Sequence, residues 1–82
     1  MNSKKLNRIK VVLVEKDKTG TWLADQLGKS GYTVSRWATN KQQPSVEQLF
    51  EIANLLGVEV KDLLVSQDVA MQDKINNNSA DI

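Results

Sequence analysis

Between Leu27 and Gly31 the chain has only Gly28-Lys29-Ser30 in which to end one amphipathic segment and begin another. On one side Leu23, Ala24 and Leu27 share a face at helical spacing. On the other, Val34, Trp37 and Ala38 recur at i, i+3 and i+4. A glycine just past a helix adopts left-handed backbone without penalty, and a serine before a helix accepts a hydrogen bond from an orphan N–H group. Thr19 or Thr21 is placed to cap the earlier segment in the same way. The pattern predicts two short helices, residues 21–27 and 31–38, meeting at a tight corner. Neither can bury its apolar face alone, so the rest of the chain must supply the remaining core.

That core is predicted to come from further short helices. Pro44 precedes Ser45, and Gln48 follows three residues later as a capping-box partner. Val46, Leu49, Phe50, Ala53 and Leu56 then recur at helical spacing, Ile52 and Leu55 widen the face, and Gly57 ends a helix over 45–56. Val60, Leu63 and Leu64 suggest a final short helix over 60–64. The segment Ile9 to Val14 is rich in β-branched residues and could pass for a strand. Leu6, Ile9 and Leu13 follow helical spacing, however, and no second strand is evident, so a helix over 4–16 is expected. The fold class is all-α, a compact bundle of about five short helices within residues 1–65. From Ser66 the composition turns polar and aperiodic, and 66–82 is expected as a flexible tail, with Val69, Met71 and Ile75 as the material for a weak helix or docking strip.

Composition narrows the function. The 82 residues suffice for one small domain, which oligomerisation would support. There is no cysteine and no histidine. Disulfides, thiolate metal sites, thiol nucleophiles and the commonest general base are therefore excluded, so no enzyme activity, metal or cofactor is expected. No apolar run is long enough to span a membrane, and the charged start makes a poor signal peptide, so a cytoplasmic protein is expected. Charge is segregated: residues 1–41 carry nine basic and three acidic side chains, residues 42–82 two basic and seven acidic. A net +6 half beside a net −5 half suits a molecule that turns one face to a polyanion.

The run from Trp22 to Gly28, then Lys29 to Trp37, Asn40-Lys41 and Pro44-Ser45, resembles the Cro/phage-repressor type of helix-turn-helix, the XRE-like transcriptional regulators. Leu23-Ala24 matches the family's second helix, Gly28 its turn, Val34-Ser35-Arg36-Trp37 its recognition helix, and the resemblance extends over about residues 6–65. It implies a sequence-specific binder of double-stranded DNA, acting as a homodimer, with helix 31–38 in the major groove. Helical periodicity turns Val34, Trp37 and Ala38 inward, leaving Tyr32, Thr33, Ser35, Arg36 and Thr39 outward. Arg36 is the leading candidate for base readout, because a guanidinium can take guanine O6 and N7 together. Tyr32 and Thr33 are candidates for a thymine methyl or a phosphate. Gly31 departs from the family, implying one fewer direct contact or a backbone approach to phosphate.

Phosphate contacts are expected from Thr19, Gly20 and Thr21 at a helix start, and from Lys29, Ser35, Asn40 and Lys41. Trp37 reads as core; Trp22 reads as packed on a neighbouring helix or set against the sugar-phosphate backbone. Two of the four aromatic residues are expected to be buried, leaving no stacking platform for single-stranded RNA. Many relatives hold helix 1 to the end of helix 3 with a buried arginine–glutamate pair. Leu13 and Ala38 stand at those positions, which implies an apolar contact instead. The alternative to a regulator is an antitoxin-type module that binds a protein partner through the acidic half or tail.

Overall fold

The computed structural model describes residues 4–67; the expected tail beyond Gln67 lies outside the described residues. Four α-helices and a 3-10 turn follow in order: α1 (Ile9–Glu15), α2 (Gly20–Leu27), α3 (Gly31–Ala38), α4 (Val46–Leu56) and the turn Val60–Leu63. The fold is all-helical, with four helices and one tighter turn in place of five. Local chemistry accounts for most boundaries. The side chains of Thr19, Ser30 and Ser45 each accept a hydrogen bond from the N–H three residues ahead, and Gln48 completes the box by binding back to Ser45 N–H. Gly28 and Gly57 close α2 and α4 with φ near 66° and 70°, the left-handed region that glycine enters without strain.

The core is one cluster. Ile9, Val12 and Leu13 of α1 meet Leu23 and Ala24 of α2, Val34 and Trp37 of α3, Ile52, Ala53 and Leu56 of α4, and Leu63. Trp37 is 2% exposed, and burying an indole of roughly 200 Å² contributes about 5 kcal/mol of transfer free energy. Trp22 is partly buried against this cluster, with Lys18 Nζ 4.8 Å from its ring centroid. Phe50 departs from expectation at 59% exposed, as does Val46 at 68%. Ile52 and Leu56 set the inward direction of α4, and Phe50 lies about 200° around the helix from Ile52. Of the aromatic residues only Trp37 is buried; the expected second does not exist.

The start of α1 is the main correction. The helix begins at Ile9, with Arg8 as its N-cap and Asn7 in an isolated bridge ahead of it. Arg8 N–H donates to Leu63 O at 2.8 Å and Val65 N–H to Leu6 O at 2.9 Å, around an antiparallel bridge between Asn7 and Leu64. The segment after the 3-10 turn thus pairs with residues ahead of α1, while Ile9 to Val14 is helical as its spacing predicts. Asn7, 1% exposed, holds the junction. Its Oδ1 accepts from Ile9 N–H at 3.0 Å, and its Nδ2 donates to Trp37 O at 2.9 Å and Gln43 Oε1 at 2.7 Å. Asn40 answers from the far end of α3, its Oδ1 accepting from Leu6 N–H and Asn7 N–H at 2.8 and 3.0 Å. No buried side-chain nitrogen or oxygen among the described residues lacks a partner, as burial of so polar a junction requires.

Leu13 and Ala38 line one cleft of about 320 Å³ between α1, α2 and α3. Leu13 and Val34 are buried there, but Ala38 is only partly so, and Lys10, Thr21, Ser35 and Thr39 also line it. The place of the expected ion pair is therefore a cleft of mixed lining, in which Leu13, Val34 and Ala38 stand beside polar side chains.

Candidate nucleic-acid interface

The corner between α2 and α3 is built from local signals. Gly28 ends α2, Lys29 N–H reaches back to Ala24 O at 2.9 Å, and Ser30 Oγ takes Thr33 N–H at 3.1 Å. Val34 and Trp37, 1% and 2% exposed, fasten α3 to the core by one side. The other side faces solvent: Tyr32 is 72% exposed, Ser35 and Thr39 are exposed, and Arg36 is partly buried. Thr33 stands at the flank, its hydroxyl in contact with Ser30 at 3.1 Å as part of the cap. Thr39 Oγ1 donates to Ser35 O at 2.8 Å.

Arg36 does not extend freely. Its Cζ lies 5.7 Å from the Tyr32 ring centroid, its Nε donates to Gln42 Oε1 at 3.3 Å and its Nη2 to Lys41 O at 3.5 Å. Tyr32, Arg36 and Lys41 are thereby brought together. Gln42 joins them although nothing in the local sequence singled it out; only its position after the α3 terminus, where the chain doubles back, gave a signal. Lys41 and Gln42 N–H both return to Arg36 O, at 2.9 and 3.2 Å.

The expected phosphate contacts divide. Gly20, Thr21 and Ser35 line the cleft that also includes Lys10, Gly31 and Thr39. Thr19 spends its hydroxyl on the α2 cap, accepting from Trp22 N–H at 3.0 Å. Lys29 and Lys41 are exposed on either side of α3. Asn40 belongs elsewhere: 8% exposed, its side chain is turned to Leu6, Asn7 and Gln43, and its φ of 61° closes α3 in the place glycine often takes. Its side chain faces inward because it satisfies the buried backbone of the first segment. Among the described residues no three histidine, cysteine or acidic side chains gather as a metal site, and no helix is long and apolar enough to cross a membrane.

The helix-turn-helix family model matches residues 9–63. A solved structure described as "a putative DNA-binding protein from Bacteroides fragilis" is 55% identical and superposes with a TM-score of 0.72, over 73% of this chain and 97% of that one. A search of the curated proteins returns no significant match. Two helices meeting at a glycine corner, with the second fastened by one face and bare on the other, define a DNA-binding class of fold. The chain belongs to the helix-turn-helix family, of the Cro/phage-repressor, XRE-like type.

Proposed function

We propose that this protein is a sequence-specific double-stranded DNA-binding transcriptional regulator, acting in the cytoplasm as a repressor and as a two-fold homodimer. The observation that carries the reading is the solvent face of α3, where Tyr32 is exposed and Arg36 lies beside its ring on a helix held by Val34 and Trp37. A major groove admits one such helix. In this reading Arg36 takes a guanine, and Tyr32 packs beside it against a neighbouring base or phosphate. Gly20 and Thr21 N–H, Ser35, Lys29 and Lys41 hold the flanking phosphates, which position the helix without reading sequence.

One helix of eight residues contacts too few bases for useful discrimination, which favours a second copy. Selection from a random duplex library tests the reading. Palindromic sites with half-sites about 34 Å apart are expected. Recovery of one asymmetric half-site, with a 1:1 complex by light scattering, contradicts the dimer; recovery of no sequence preference contradicts the regulator. The antitoxin-type alternative has one observation on its side, the exposed Val46 and Phe50 beside Glu47 and Glu51 on the acidic half.

A further inference from the structure

Arg36 carries five N–H groups on a planar fork, and only some of its edges can read a base. Nε and the adjacent N–H of Nη2 form the side edge; Nη1 and the other N–H of Nη2 form the end. The structure engages the side edge: Nε meets Gln42 Oε1 at 3.3 Å and Nη2 meets Lys41 O at 3.5 Å. The Tyr32 ring lies against the guanidinium, 5.7 Å from its centroid to Cζ. Arg36 forms no ion pair among the described residues. Nη1 makes no hydrogen bond among the described residues, so the end that includes it supplies the donors left for guanine O6 and N7.

We infer that Gln42 is a positioning residue for DNA recognition: it orients Arg36 so that the Nη1–Nη2 end meets the base, and it does not read the base itself. The inference rests on the reading of α3 as the recognition helix. It follows from how an arginine loses discrimination. A long side chain with several rotamers spends entropy to find one geometry, and a hydrogen bond made before binding removes part of that cost. Gln42 is exposed and at the end of a loop whose backbone is already fixed by Arg36 O. Replacing it therefore alters the guanidinium and not the fold. Both contacts are at the long end of the hydrogen-bond range, so the effect is expected to be moderate.

The test compares the parent with Gln42→Met, Gln42→Glu and Arg36→Ala, alone and combined, on the selected duplex and on duplexes changed at each base pair, with thermal melts to confirm folding. Gln42→Met, which keeps length but loses the acceptor, is expected to reduce discrimination about three- to tenfold at the base pair that Arg36→Ala also relaxes. Affinity for unrelated duplex and the salt slope should not change. Gln42→Glu keeps an acceptor oxygen and should retain the discrimination ratio even where its charge lowers absolute affinity. Adding Gln42→Met to Arg36→Ala should cost nothing further. The inference is overturned if Gln42→Met leaves discrimination intact, weakens all duplexes equally, or is as costly without Arg36. If Arg36→Ala itself relaxes no base pair, the reading of α3 fails first, and that result is separable from any result at Gln42.

Discussion

Asn40 shows how a residue beside a candidate contact surface can commit its side chain inside the molecule. Its place after α3 points to phosphate, yet its amide faces 33 residues back along the chain to Asn7. Four side-chain hydrogen bonds depend on it: Oδ1 accepts from Leu6 N–H, Asn7 N–H and Gln43 Nε2, and Nδ2 donates to Asn7 O. Asn40→Gly keeps the left-handed backbone and removes all four, so the cost should be that of buried groups left unpaired, about 2–3 kcal/mol. Urea unfolding measures it, and a variant as stable as the parent means the junction contributes nothing. Ala38 calls for a smaller figure than its sequence position suggests. A full buried charge would cost about 3–5 kcal/mol, but the cleft is open and Lys10 lines it. Ala38→Glu is therefore expected to lose about 1–2 kcal/mol, within the range of ordinary substitutions. Leu13→Arg with Ala38→Glu should recover part of that loss. Strictly additive losses in a thermal double-mutant cycle mean that the two positions do not share the cleft.

At the scale of elements, what was legible is what local chemistry dictates. Ser30, Ser45 with Gln48, Gly28 and Gly57 fix the start of α3, both ends of α4 and the end of α2 from within a few residues, and the structure follows them. The start of α1 was not legible, because Leu6 and Asn7 are held by Val65 and Asn40, far away in sequence. Periodicity also overstated the inner face of α4: helical spacing places Phe50 beside the core face, and the direction of packing, set by Ile52 and Leu56, leaves it outside. Phe50→Ser should accordingly change stability by no more than about 0.5 kcal/mol, as for other exposed sites. A loss of several kcal/mol on urea titration is the cost of emptying a core position, and contradicts the exposure seen here. Ser45→Ala removes a capping box that is fully formed, and should cost about 1 kcal/mol by the same measurement.

For the whole molecule, the division of charge acquires a structural meaning. The basic half supplies α1 to α3 and the loops around them, and the stretch from α4 through the 3-10 turn carries Glu47, Glu51, Glu59 and Asp62. Duplex binding is then expected to weaken with salt in proportion to the phosphates neutralised. Lys41→Ala should lower affinity for every duplex about equally and flatten the slope of log affinity against log salt by about one unit. An unchanged slope removes Lys41 from the phosphate contacts. The solvent side of α3 was legible as a set, Tyr32 and Arg36 one turn apart on a helix anchored by Val34 and Trp37. Its tether was not, because Gln42 reaches Arg36 only after the chain has turned at Asn40. The central claim is that α3 reads base pairs through Arg36. Equilibrium binding of the parent and Arg36→Ala to the selected site, and to that site changed one base pair at a time, tests it most directly. The account predicts a loss of about 1–3 kcal/mol on the selected site, with discrimination relaxed at one base pair in each half-site and kept elsewhere. An Arg36→Ala protein that binds and discriminates like the parent contradicts it.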